Sequence, residues 1–211
     1  MKIGIIGAGF IARAVTAVAM KCGHEVMVSN SRGPDTLFSL TGTTGCMAGT
    51  PAEAAAFGDL VVIAIPLKAY KSIPDADLIG KIVLDANNYY AVRDGQITEL
   101  DLGRLTSSEL LAQHLLKSRI VKAFNAITAA DIEKDGRPAG AIDRRALPIA
   151  GDDLTAKRIV SELFEELGFD IVDAGPLKEG YRFQPDTPAY CVPLSRGDLR
   201  AALDAVSREG D

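Results

Sequence analysis

The chain has 211 residues, 47% of them hydrophobic and 24% charged, with a net charge of -5. That balance supplies a packed core, which excludes a disordered chain, and it offers no basic run to attract nucleic acid. The longest apolar run, residues 60–67, is short of a membrane span and suits a buried strand, so no membrane partner is expected.

In chain order, residues 2–6 read as a short buried strand. With a strand at the start, no signal peptide is expected, and the expected location is cytoplasmic. The strand runs into Gly7, Ala8, Gly9, Phe10, Ile11 and Ala12, then into an apolar helical pattern to about Met20. Residues 25–29 form a second strand. Strand, glycine turn, helix and strand in this order make a G-x-G-x-x-A motif specific for a dinucleotide. Gly7 permits the tight turn, Gly9 lets a pyrophosphate approach without meeting a Cβ, and Ala12 keeps helix and strand close. The helix beginning near Phe10 points its free N–H groups and positive end at that pyrophosphate.

The end of the second strand selects between cofactors. An NAD site places Asp or Glu there, whereas this chain has Asn30, Ser31 and Arg32, with no carboxylate before Asp35. A guanidinium with small polar donors suits a dianionic 2′-phosphate, so NADP(H) is expected over NAD(H). The alternative is a polar loop over residues 31–34 that holds nothing.

Residues 34–40 read as a short helix and residues 41–45 as a loop. Thr50 caps a further helix with Pro51 in its first turn. Residues 59–66 and 81–87 are apolar strands of the kind buried on both faces of a parallel sheet. Thr106 and Glu109 form a capping box before a helix to about Lys117, and residues 119–125 are another strand. Strands alternating with helices define an α/β, doubly wound (Rossmann), mostly parallel sheet, with ligands outside the carboxyl ends of the strands. The loops holding Ile65, Pro66 and Leu67, then Asn87 to Tyr90, then Asn125, Ala126 and Ile127 are therefore the expected walls around the nicotinamide. Each is equally open to reading as plain connection. Tyr70 joins the candidate cofactor contacts.

Residues 147–150 read as a strand, 154–167 as an amphipathic helix ended by Gly168, 169–175 as a strand and 199–208 as a closing helix. The expected division is a dinucleotide-binding domain at residues 1–127 and a small α/β C-terminal region at 128–211. His24 reads as a turn residue and His114 as a helix-surface residue, each without a neighbouring carboxylate. Cys22, Cys46 and Cys191 lack C-x-x-C spacing, so neither a metal site nor a disulfide framework is expected. No residue pattern marks a catalytic acid–base centre. Hydride transfer to a flavin-like ring needs chiefly positioning, whereas carbonyl reduction needs a proton donor. For the latter the candidates are Tyr89, Tyr90 and Lys122, each otherwise read as loop packing or surface charge.

Residues 2–9, 29–32 and 62–66 resemble the NADPH-dependent deazaflavin reductases, also called coenzyme F420-dependent NADP oxidoreductases. Residues 121–125, 150–153 and 167–177 are similar to that family's sixth-strand segment and C-terminal portion. The resemblance implies pyrophosphate at Gly7 and Gly9, 2′-phosphate at Ser31 and Arg32, and nicotinamide flanked by Ile65, Pro66, Asn125 and Ala126. It also implies a deazaflavin (coenzyme F420) or flavin co-substrate in a cleft between the two parts of the chain, and a homodimer. Residues 181–190, with three aromatics and two prolines, replace the family's long apolar C-terminal helices. They read as a rigid lid, a partner surface or a strap over the sheet edge. Three functions are in view: hydride transfer to a deazaflavin or flavin, reduction of an imine or carbonyl, and a sensor that binds NADP(H) without turnover.

Overall fold

The computed structural model describes residues 1–207. Its strands are β1 (Lys2–Ile6), β2 (Glu25–Ser29), β3 (Met47–Gly49), β4 (Leu60–Ile63), β5 (Ile82–Asp85), β6 (Arg119–Lys122), β7 (Ala146–Gly151) and β8 (Asp170–Asp173). They form one sheet in the order β3-β2-β1-β4-β5-β6-β7-β8. The first six are parallel, with Ile5 beside Val28 on one side and Val62 on the other. β7 runs antiparallel to β6 and parallel to β8. Strand order reverses between β1 and β4, the place where a doubly wound sheet opens a crevice at its carboxyl edge.

The central strands are buried on both faces, which explains their continuous apolar runs. The helices are α1 (Phe10–Lys21), α2 (Phe38–Thr44), α3 (Pro51–Phe57), α4 (Ala91–Asp94), α5 (Thr98–Asp101), α6 (Ser107–His114), α7 (Ala129–Lys134), α8 (Leu154–Glu166) and α9 (Arg196–Asp204). On one face Val15 of α1, Ile132 of α7 and Phe164 of α8 close over Ile5, Val62 and Leu84. On the other, Ala55 of α3 and Leu111 of α6 cover Val61, Ile63 and Val83. Each large apolar side chain buried this way contributes about 2 kcal/mol. Buried arginines tie the C-terminal strands to this frame: Arg144 lies 2.6 Å from Glu165, and Arg145 lies 2.9 Å from Asp135.

Thr106 with Glu109 forms the expected capping box; Thr50 caps its helix as expected, and its partnership with Glu53 makes a second box that was not expected. Gly168, at φ 94, follows α8 as expected. The stretch expected as a helix over 34–40 and a loop over 41–45 is different: a 3-10 turn, Pro34–Leu37, leads into α2. The hydroxyls of Thr43 and Thr44 donate back to carbonyls in their own helix, and left-handed Gly45 ends it only after Thr44. The edge strand β3 was not expected, being only three residues long. β4, β5 and β6 each stop before the expected ends, which frees Ala64 to Pro66, Asn87 and Asn125 to form loops. The helix expected to reach about Lys117 ends at His114. The closing helix starts earlier, capped by Ser195, and Arg208 lies outside the described residues. Among the described residues no helix is long and apolar enough to cross a membrane, and no metal-ligating cluster of three occurs.

Candidate functional site

Gly7 and Gly9 do different jobs. Gly7 has φ 123, and a Cβ there would sit 2.1 Å from the Ala64 carbonyl oxygen, so the turn out of β1 requires glycine for the fold itself. Gly9 has φ -74, and a Cβ there would meet no protein atom within 4 Å. The open space above Gly9 faces the uncapped N-terminus of α1, where backbone N–H groups lack intrahelical partners. Ala12 is fully buried against the sheet, while Phe10, 85% exposed, and half-buried Ile11 stand at the rim. Arg13 Nε donates to the Ala8 carbonyl at 3.0 Å, holding a cation beside the turn. Sequence reasoning passed over Arg13, whose only signal was its place one residue after the motif.

At the end of β2, Asn30 shapes the loop: its Oδ1 accepts from the Arg32 N–H at 2.9 Å and its Nδ2 donates to Thr36 at 2.8 Å. Ser31 and Arg32 are exposed, and among the described residues neither side chain makes a hydrogen bond or ion pair. No carboxylate stands at this strand end. A free guanidinium on a turn fixed by Asn30 fits a 2′-phosphate.

The loops after β1, β4, β5 and β6 meet around a cleft of about 300 Å³, lined by Gly9, Ile65, Pro66, Asn87 and Asn125 among others. Leu67 and Ala126 are buried and do not line it. Tyr70 does not line it either; its ring packs edge-on against His114, with centroids 5.9 Å apart. Asn87 Oδ1 accepts from the Ile65 N–H at 2.9 Å, and Asn125 Nδ2 donates to the Phe183 carbonyl at 2.9 Å. The remaining amide atoms, Asn87 Nδ2 and Asn125 Oδ1, are buried with no hydrogen-bond partner. One orphaned donor and one orphaned acceptor in a cleft are the complement of a carboxamide, which is what a nicotinamide carries. The residues present therefore fit the dinucleotide that the motif implies. Phe124, at φ 59, turns the chain sharply out of β6 and stacks on Phe164 at 4.0 Å, bringing Asn125 back to the cleft.

The far wall comes from the C-terminal part. Tyr190 shares a 2.5 Å hydrogen bond with Tyr90, and Asn88 Nδ2 reaches the same phenol at 3.4 Å. The Cys191 N–H donates to the Ala126 carbonyl at 3.1 Å. Residues 183–191 thus form a strap sewn to the cleft loops. Burial pushes the Tyr190 phenol far above its usual range, with the Tyr90 hydrogen bond second, so it stays protonated. Tyr190 and Arg93, whose guanidinium lies 4.8 Å from the Tyr90 ring, were not among the expected site residues. Tyr190 reaches the cleft through a contact 100 positions apart in the chain, whereas Arg93 is placed by its near neighbours Asn88, Tyr90 and Asp94.

Four further sequence readings need correction. Lys122 is fully buried and is no surface charge. His24 is also buried, and its Nε2 lies 3.1 Å from Glu166, a carboxylate supplied by α8 that the sequence does not place nearby. Burial, with the N-terminal charge, pushes the His24 imidazole down. His114 is half-buried, not a surface residue, with its Nε2 3.0 Å from the Ile73 carbonyl. Tyr89 faces away from the cleft: its hydroxyl donates to Asp101 at 2.6 Å, and it lines a separate cavity of about 720 Å³.

A glycine turn, an uncapped helix start and a crevice at the strand-order reversal define a dinucleotide-binding α/β protein of the Rossmann class. Residues 2–89 match the family model for NADP oxidoreductase, coenzyme F420-dependent. A hypothetical protein of Sinorhizobium meliloti is 30% identical in structure-based comparison, over 93% of this chain and 95% of that one, with TM-score 0.80. A candidate F420-dependent NADP-reductase of Arthrobacter sp. FB24 shares the fold, with TM-score 0.73 and 24% identity over 85% of this chain and 87% of that one. Mouse Metalloreductase STEAP2 is 29% identical over 98% of this chain, which spans 40% of that protein's length.

Proposed function

We propose that the protein transfers a hydride between NADPH and a flat acceptor of the deazaflavin or flavin type. The observation that carries this reading is the composition of the cleft. Its walls are apolar side chains, neutral amides and phenols, and Arg93 is the only charged residue lining it among the described residues. Such a cleft orients rings and excludes water, and offers little acid–base chemistry. The nicotinamide, when bound, supplies the hydride at C4. Gly7, Ala8, Gly9 and the start of α1 would hold the pyrophosphate; Ser31 and Arg32 would hold the 2′-phosphate on the turn that Asn30 shapes. Ile65, Pro66, Asn87 and Asn125 would hold the nicotinamide, with Leu67, Tyr70 and Ala126 supporting them from behind.

In this reading residues 1–127 bind the cofactor, and the C-terminal part from residue 128 covers the acceptor through Tyr190. A homodimer is proposed on family resemblance alone. The test follows loss of NADPH absorbance with deazaflavin, FMN, FAD and a ferric chelate in parallel. The chelate belongs in the panel because mouse STEAP2 is a metalloreductase. Oxidation with a ring acceptor supports the proposal, and turnover with the chelate alone replaces the acceptor class.

The Tyr90–Tyr190 pair favours a second reading, imine or carbonyl reduction, because a phenol in the cleft can donate a proton to a reduced substrate. Turnover of a cyclic imine or ketone that Tyr190→Phe abolishes would establish it. Tight NADPH binding with silence toward every acceptor would instead leave the sensor reading.

A further inference from the structure

We infer that Lys122 and Asp85 are positioning residues for NADP(H), clamping the Asn87 backbone so that its side-chain N–H is aimed at the nicotinamide end of the cleft. This rests on the reading of the cleft as the NADP(H) site.

The clamp is a closed ring of contacts. Lys122 Nζ donates to the Asn87 carbonyl at 3.2 Å, to Ser107 Oγ at 3.1 Å and to Ser108 Oγ at 3.1 Å. Those bonds use all the donors of an ammonium. Ser108 Oγ passes the connection on, donating to Asp85 Oδ2 at 2.6 Å. Asp85 Oδ1 then accepts from the Asn87 N–H at 3.0 Å. Both backbone polar groups of Asn87 are thereby fixed by one buried charge pair, and Ile65 fixes its side-chain Oδ1. The one Asn87 group left over is Nδ2, buried and unpartnered in a residue that lines the cleft.

Stability alone does not account for this arrangement. Lys122 and Asp85 are both fully buried, and desolvating such a pair costs enough that apolar residues of similar size often do as well or better. Burial pushes the Lys122 amine down, partly offset by Asp85. The C-terminal part seals the lysine in: a Cβ on Gly180 would come within 2.6 Å of Lys122 Cδ. The chain thus encloses a costly charge pair whose contacts converge on one residue of the cleft.

The experiment measures Kd for NADPH and for adenosine 2′,5′-bisphosphate, which carries only the adenosine end, by calorimetry on the wild type and variants. Asn87→Ala should bind NADPH about tenfold more weakly and the bisphosphate with less than about twofold change. Lys122→Met should show the same split, and adding it to Asn87→Ala should produce no further loss of NADPH affinity. Equal weakening of both ligands by Lys122→Met, or no change in either, with the Asn87→Ala split intact, overturns the positioning role. Absence of the split in Asn87→Ala overturns the cleft assignment beneath it. Should Lys122→Met fail to fold by circular dichroism, Ser108→Ala removes the hydroxyl between Lys122 and Asp85 and carries the same test, with the same split expected.

Discussion

The hydroxyls of Tyr90 and Tyr190, 100 positions apart in the chain, meet at 2.5 Å where both line the cleft. Tyr90 follows β5 and Tyr190 belongs to the C-terminal strap, so this bond joins the loops at the carboxyl edge of the sheet to the strap that walls the cleft. Tyr190→Phe should destabilise the fold by about 1 kcal/mol, the usual worth of one such bond. It should raise the acceptor KM while leaving the NADPH Kd unchanged. Thermal unfolding, acceptor kinetics and NADPH titration on the same variant check all three.

The two motif glycines separate stability from binding. Gly7→Ala puts a Cβ into the Ala64 carbonyl at a φ that L residues rarely adopt, and should cost about 3 kcal/mol or more. Gly9→Ala meets only open space and should change stability by less than about 1 kcal/mol. It should nonetheless weaken NADPH about tenfold by holding off the pyrophosphate. Denaturant melts and cofactor titrations of the pair give the comparison.

Arg32→Ala should weaken NADPH by about tenfold to a hundredfold, the worth of charged hydrogen bonds to a phosphate, and leave NADH nearly unchanged. Because Arg32 has no ion pair among the described residues, the variant should melt like the wild type. Equal loss of both cofactors would place the 2′-phosphate elsewhere.

The cleft rim should carry an acid-sensitive element at Asp94. Burial pushes its carboxyl up, but the Arg93 guanidinium and the N–H groups of Tyr90 and Lys68 outweigh burial and hold it below its ordinary value of 3.8. A carboxyl whose folded-state pKa lies below its unfolded one contributes fully above the unfolded value, and that contribution is lost as pH falls through the folded one. Stability should therefore drop as pH falls below about 4. Asp94→Asn should flatten part of that slope and cost about 2 kcal/mol at neutral pH. Urea unfolding across a pH series reads both effects.

What was legible in the sequence was local. The glycine turn, α1 and β2 follow from contiguous residues, and the Thr50 cap and the capping box at Thr106 follow from short local spacings. Loop endpoints were less legible, because strands buried on both faces give no alternation to mark where pairing stops. The same rule held an unused signal: a lysine within the apolar strand that ends in Lys122 has no solvent face to turn to. Tyr190 against Tyr90, and Glu166 beside His24, depend on the strap and α8 folding back over the sheet, which no local spacing encodes.

The central claim, hydride transfer from a nicotinamide held in one orientation by Ile65, Asn87 and Asn125, is tested most directly by single-turnover oxidation of NADPH deuterated at either C4 position. The acceptor is whichever of deazaflavin, FMN or FAD turns over. The account predicts a primary isotope effect from one of the two deuterium positions and not from the other. Equal slowing from both positions, or none from either, would contradict it.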